Sequence, residues 1–390
     1  MASAVVREPI ESGGPVPRAS LRTLSARDYR NLANADLALP PEGMAVVGEN
    51  GQGKTNLIEA IYYLQLLRSF RGARDAELVR FGESGFHVAA EFGDGGSGAR
   101  QLAIGFDRAG KRKRVTTDGM ECERLSDAIG AFPAVIFSPH DTTLVAGAPS
   151  ARRRFLDVAL ALTSRAYLVA LQRYRSALAQ RNSALRSAAT RGAPGSQVNV
   201  AVWEPALATH GAHLLDARRD WVSRNADAYS RLCASIGERG EAVMRYVSTI
   251  EEGGETTSAL AVALERRREL DLRRGLTHAG PHRDDLELTL DGRELRTFGS
   301  AGQQRTAAIA LRLLEASTLR ERARREPAVL LDDPFAELDA RRAARILELL
   351  EESAHGQTIL VVPRSTDIPR ELKRLERWRI AGGALFPSSQ

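Results

Sequence analysis

Only two cysteines, Cys122 and Cys233, occur in the 390 residues, and they stand far apart. Neither a disulfide framework nor a cysteine-held zinc site is supported, which fits a reducing cytoplasm. No apolar run approaches the roughly 20 residues of a membrane-crossing helix. The expectation is therefore a cytoplasmic chain that neither spans a membrane nor carries its own anchor. The first 20 residues lack a continuous apolar core and include Arg7, Glu8 and Glu11, which argues against a signal peptide and predicts a flexible extension over 1–20. Internal repeats and sustained heptads are also missing, so a solenoid and a long coiled coil are not expected. Lysine is scarce: Lys54, Lys111, Lys113 and Lys373 are the only four among 55 basic residues. That bias fits genome composition better than selection for phosphate contacts.

What remains is an ordinary globular composition, 43% hydrophobic and 27% charged, in a chain long enough for two or three domains. A net charge of +6 and an isoelectric point near 9.6 permit nucleic-acid binding without requiring it.

Residues 48–55 carry the most chemistry. Gly48, Glu49, Asn50, Gly51, Gln52, Gly53, Lys54 and Thr55 fit the phosphate-binding pattern G-x-x-x-x-G-K-[ST]. The glycines let backbone N–H groups wrap a polyphosphate, Lys54 reaches the β- and γ-phosphates, and the Thr55 hydroxyl can coordinate Mg²⁺. A short buried strand is expected over 44–47 and a helix over 56–64, which would aim its positive end at the phosphates.

From residue 21 to about 137 the pattern is β-rich, with strands predicted over 86–92, 101–107 and 111–117 and turns between them. The basic tract 111–114 reads either as a strand edge blunted by charge or as a phosphate contact. From about 150 to 274 the texture is helical, with long helices over 165–187 and 203–236 and a Gly/Pro-bearing break over 189–199. Leu207, Gly211, Leu214 and Leu215 mark an apolar stripe facing a core. Arg152, Arg153 and Arg154 sit at a helix start, against the dipole, and so call for a specific partner. After residue 276 the α/β texture returns, with strands over 285–290, 328–331 and 358–362 and helices over 302–325 and 340–353.

A second set of site residues lies far downstream. The apolar strand 328–331 runs into Asp332 and Asp333, a Walker-B arrangement in which Asp332 holds Mg²⁺ and Asp333 orients the attacking water. Ser300, Gly302 and Gln303 open a helix and form a second anion cradle. Two cradles can flank one ligand within a monomer, or one can serve the nucleotide of a second copy. The order P-loop, signature serine, Walker B is that of ABC-type ATPases, in which the signature of one protomer closes over the γ-phosphate held by the other.

The segments 48–61, 137–141, 152–157, 180–182, 280–285, 300–306 and 330–339, in this order, resemble the RecF family of bacterial SMC-like DNA-repair ATPases. The blocks 280–285 and 152–157 are more specific than the P-loop. The resemblance implies an α/β fold: an ABC-type P-loop ATPase head with an antiparallel β subdomain, a helical second domain and no long coiled coil. It divides the chain into head segments 21–145 and 276–390 with a helical arm over 146–275 between them. It implies ATP and Mg²⁺ as ligands, ATP-dependent homodimerisation on DNA, slow hydrolysis, and work with RecO and RecR at stalled forks and gaps. Carried over by position, Lys54 and Thr55 hold ATP and Mg²⁺, Asp332 is the Walker-B ligand, Ser300 is the signature serine and 336–339 is the D-loop. Asp333 stands where most ABC-type ATPases have glutamate. One departure is the segment 363–367, with Pro363 and Arg364 and no histidine where the family has its switch. His282 and Arg283 read as satisfying buried carbonyls and pairing with Asp284 or Asp285. A transporter's nucleotide-binding subunit shares the ATPase logic, but the roughly 120-residue helical insertion and the basic pI argue against it. A scaffold with structural ATP and another SMC-like DNA ATPase are further alternatives.

Overall fold

The computed structural model describes residues 18–93, 98–191, 199–251, 253–323, 326–335, 340–353 and 356–388. The expected extension over 1–20 and the D-loop 336–339 therefore lie largely or wholly outside the described residues. Two compact units emerge. One comprises Met1–Val135, Leu319–Leu331 and Ala354–Gln390; the other comprises Ile136–Thr318 and Asp332–Ser353.

In the first unit β1 (Ser20–Arg27), β2 (Ala35–Ala38), β4 (Gly85–Gly93), β5 (Arg100–Asp107), β6 (Arg112–Thr117) and β7 (Met120–Glu121) form an antiparallel sheet in the order β2-β1-β4-β5-β6-β7. Alternation puts Phe86, Val88, Ala90 and Phe92 of β4 beside Leu102, Ile104 and Phe106 of β5 on one buried face. Helix α1 (Lys54–Leu66) docks there, its Tyr63 ring 5.6 Å from Phe86 in an edge-to-face pair. The basic tract 111–114 divides. Lys113 turns inward to Asp75, in the short α2 (Asp75–Leu78), at 2.8 Å and to the Leu67 carbonyl at 2.6 Å, while Arg112 and Arg114 stay exposed. Burial draws the Lys113 ammonium below its usual range, opposed by Asp75.

A second sheet has the order β15-β14-β3-β13-β12-β8, from β3 (Gly43–Val47), β8 (Ala134–Phe137), β12 (Ala328–Asp332), β13 (Thr358–Val362), β14 (Glu376–Ala381) and β15 (Ala384–Pro387). β13 and β14 run parallel to β3 on either side of it. Strands covered on both faces need apolar residues at every position, which is why β12 and β13 read as unbroken apolar runs. Gly43 starts β3 at φ 106°, where a Cβ would fall 1.8 Å from the Thr358 carbonyl oxygen.

The second unit is mostly helical: α3 (Thr143–Ala146), α4 (Pro149–Thr163), α5 (Arg165–Arg191), α6 (Glu204–Ile236), α7 (Thr256–Arg274), α8 (Leu295–Phe298), most of α9 (Ala301–Ala323), and α10 (Ala340–Ser353). Helices α5, α6 and α7 cross closely at Gly211, where a Cβ would lie 2.5 Å from Leu260 and 3.1 Å from Tyr174. The stretch 150–274 is not helical throughout. Its segment β9 (Ala242–Val247) is a strand that pairs antiparallel with β10 (Asp285–Leu290), which β11 (Arg293–Glu294) borders on its other side. Buried Ala242 and Met244 alternate with Val243 and Arg245, and such a pattern in isolation is too short to separate from a helix.

Candidate nucleotide site

The P-loop joins β3 to α1. Gly53 caps the helix at φ 111° and Gly51 sits at φ 82°, left-handed conformations that only glycine takes without strain. Gly48 meets a different demand, since a Cβ there would lie 2.6 Å from Ile380. The N-cap Gly53 makes no side-chain cap and no acidic residue occupies the first turn of α1, so the helix itself does not counter its N-terminal dipole end. The Lys54 ammonium curls back over the loop, donating to the carbonyls of Gly48 at 2.6 Å and Glu49 at 2.9 Å. Backbone built to approach an anion, a positive helix end and a lysine at its mouth fit a polyphosphate.

Three supports of this loop have no motif to announce them. Asn31 donates to the Gly51 carbonyl at 3.0 Å and accepts from Asn56 at 2.7 Å. The Gly382–Gly383 turn between β14 and β15 donates to Gln52, from Gly382 N to Oε1 at 2.5 Å and from Gly383 N to the carbonyl at 3.0 Å. Behind the loop, the fully buried Glu59 accepts from Arg30 at 2.9 and 3.1 Å and from Ser69 at 2.5 Å. The divergent segment 363–367 begins where β13 ends, and the Val362 carbonyl there accepts from Gly48 N at 3.2 Å. Arg364 then caps a short turn through Asp367.

In the second unit Ser300 and Gln303 form a capping box on α9. Gln303 N donates to the Ser300 hydroxyl at 3.3 Å, and Ser300 N donates to Gln303 Oε1 at 2.9 Å. The helix start read as an anion cradle is thus also a self-capped terminus. Asp332 is buried at the end of β12, and Asp333 follows at φ 46°, a left-handed conformation of the kind found where function demands a strained turn. Arg305 ties these two parts together, donating to the carbonyls of Pro334 at 2.8 Å and Ser138 at 2.9 Å. The P-loop residues stand together in the first unit, and Ser300, Gly302, Gln303, Asp332 and Asp333 belong to the second.

The family model described as the RecF/RecN/SMC N terminal domain matches residues 20–377. The DNA replication and repair protein RecF of Salinibacter ruber is 36% identical over 353 residues, covering 88% of this chain and 85% of that protein. RecF of Anaeromyxobacter dehalogenans is 39% identical over 338 residues, covering 85% and 89%. The chain belongs to the RecF family. A solved structure described as the recombination mediator RecF-ATP in the RecFOR pathway superposes with a TM-score of 0.86 at 26% identity, covering 97% of this chain and all of that one. An SMC head domain derived from Pyrococcus furiosus matches at a TM-score of 0.54 and 16% identity, a likeness of fold alone. The architecture is accordingly the α/β ABC-type ATPase head seen across RecF and SMC proteins, and no helix among the described residues is long and apolar enough to cross a membrane.

The RecF-type blocks at 152–157, 180–182 and 280–285 converge on one buried polar network in the second unit. Arg152 forms a two-pronged pair with Asp285 at 2.8 and 2.7 Å and caps the carbonyls of Val145 and Gly147, while Arg153 donates to the Asp284 carbonyl at 2.6 Å. The cluster at the start of α4 has the specific partner its position called for. Asp157 accepts from Tyr167 at 2.6 Å and Arg218 at 2.7 Å. Arg181, wholly buried, bridges Asp271, Thr277 and Glu204 at 2.7–3.0 Å. His282 and Arg283 both donate to the Thr277 carbonyl, as the carbonyl-satisfying reading expects, but their expected pairing gives way to others: Asp285 goes to Arg152, and Asp284 accepts from Tyr246 and Ser248. Burial lowers the His282 pKa to about 4, so the ring is neutral, with Nε2–H on Thr277 and Nδ1 accepting from Tyr174. Burial likewise raises Asp284, opposed by those two hydroxyls.

Proposed function

We propose that the chain is an ATP-dependent DNA-binding protein of recombinational repair and replication-fork recovery, in which an ATP-bound homodimer clamps DNA and slow hydrolysis releases it. The observation that carries this reading is the P-loop, with Lys54 at the mouth of an uncapped helix whose entry glycine adopts φ 111°. Gly48 to Thr55 hold the ATP phosphates, and Thr55 and Asp332 are the residues for Mg²⁺, an ion that takes few protein ligands and keeps water and phosphate oxygens for the rest. Asp333 orients the attacking water. Ser300, with Gly302 and Gln303, closes over the γ-phosphate of the partner copy, and the capping box is what holds that serine at the helix tip. Hydrolysis, weak and stimulated by DNA, acts as a timer for the clamp. The segments 21–145 and 276–390 serve as the head and 146–275 as the arm.

DNA is gripped through phosphates, with little sequence preference and strong salt dependence. Work with RecO and RecR is supported by the RecFOR setting of the solved relative, and a reducing cytoplasm by the two free cysteines. Light scattering on the full chain with ATP, with ADP, and with ATP plus a gapped duplex tests the central claim. A dimer should form with ATP alone and persist on DNA; a monomer under all three conditions refutes the clamp. Asp333→Asn should trap the ATP-bound dimer on DNA.

A further inference from the structure

Arg342 is the third residue of α10. Its Nη1 donates to Thr306 Oγ1 at 3.0 Å and lies 3.0 Å from Glu238 Oε1. Thr306 in turn donates to the Gly302 carbonyl at 3.1 Å, one turn from Ser300. A Cβ on Gly302 would sit 3.3 Å from the same guanidinium nitrogen, so Arg342 lies close against the first turn of α9. Glu238 follows directly on α6, where Gly237 at φ 128° closes the helix and Glu238 N bonds the Cys233 carbonyl at 3.0 Å. A second link between α6 and α9 is Trp221 Nε1 donating to Thr318 at 3.0 Å. One cation thus joins the end of a 33-residue helix to the first turn of the signature helix.

The arm that α6 belongs to is suited to a polyanion. Helix α5, packed along α6, exposes Arg165, Arg173, Arg175 and Arg186 and has no aspartate or glutamate in its 27 residues. On α7, Arg266, Arg267, Arg273 and Arg274 are exposed. Such an arginine-rich face fits the phosphates of a nucleic-acid backbone.

We propose that Arg342 is a positioning residue for ATP hydrolysis, transmitting occupation of the helical arm by a DNA backbone through Glu238 to the turn of α9 that presents Ser300. This deepens the proposed function and rests on it. Its partners Thr306 and Glu238 lie outside residues 48–55, so its loss is expected to separate turnover from nucleotide capture.

The test measures ATP affinity, ATP-dependent dimerisation, and steady-state ATPase with and without duplex DNA for the wild type, Arg342→Ala, Glu238→Gln and the charge exchange Glu238→Arg/Arg342→Glu, with thermal unfolding as a folding check. Expected for Arg342→Ala and Glu238→Gln are ATP affinity and KM within about twofold of wild type and a loss of DNA stimulation, with DNA-stimulated kcat down about tenfold, the rate equivalent of one charged contact. The charge exchange should restore part of that stimulation, which a purely structural role would not do. Glu238→Gln carries the test if Arg342→Ala does not fold. A wild type that dimerises with ATP beside variants with intact DNA stimulation overturns this proposal alone. A wild type that forms no ATP-dependent dimer overturns the clamp and this proposal with it.

Discussion

Lys54 and Arg181 are both buried cations, and they are satisfied in opposite ways. Lys54 reaches Gly48, Glu49 and Asn50, four to six positions away along the chain on its own loop. Those of Arg181 lie 23, 90 and 96 positions away, on α6, at the end of α7 and on Thr277 beyond it. The first arrangement can dissolve without disturbing the fold, because a lysine released from loop carbonyls finds water or a phosphate. The second cannot, because removing the guanidinium leaves the wholly buried carboxylate of Asp271 without its arginine in an interior that does not solvate it, while Glu204 keeps Arg268. One region is built for exchange of partners and the other for permanence.

Breaking the permanent side should give the largest effect. Arg181→Met is expected to cost about 3–5 kcal/mol of stability, the usual cost of uncompensated buried charge, read by denaturant unfolding of the full chain. A cost below about 1 kcal/mol would mean that the network tolerates exchange after all. His282 probes the same region with protons. Its folded pKa of about 4 lies below the ordinary 6.5, so the stability of its neutral form is fully present above pH 6.5 and is lost as pH falls toward 4. The ceiling on that loss is about 3 kcal/mol. Unfolding at pH 7 and 4.5 should show the slope, and His282→Gln should flatten it. An unchanged slope assigns the acid sensitivity elsewhere.

On the exchangeable side, Lys54→Ala should remove about 2–3 kcal/mol of ATP binding, roughly 30–100-fold in affinity, while unfolding without nucleotide stays where it was. A destabilised fold would erase the contrast with Arg181. The smallest effect belongs to Asn31→Ala, which deletes one bond to the Gly51 carbonyl. It should weaken ATP binding by about 1 kcal/mol, or roughly fivefold, in the same titration.

The contrast also explains what the sequence made legible. The P-loop, the strand into Asp332 and the helix from Ser300 could be read because their chemistry lies within a few residues and their periodicity is strong. The antiparallel strands 86–92 and 101–107 were visible through alternation between clear turns. Residues 152–157, 180–182 and 280–285 could be picked out as blocks, but not what they pair with: Arg152 to Asp285 spans 133 positions and Arg181 to Thr277 spans 96. β9 was lost inside a helical stretch because its six residues depend on β10 for their hydrogen bonds. Asn31 and the Gly382–Gly383 turn carry no local pattern at all, and only the folded chain brings them to the loop.

That turn has a consequence for how the protein is made. The bond from Gly382 to Gln52 joins residues 330 positions apart, and β14, which flanks β3, leaves the ribosome long after β3 does. At about 5–20 residues per second, the phosphate loop waits on the order of 20–60 s after its own synthesis for the strands that brace it. A chain stalled or clipped before residue 376 would present the glycine motif with one flank of β3 unpaired. Tight ATP capture thereby requires that synthesis has passed residue 383, so copies stopped before it should not compete for nucleotide.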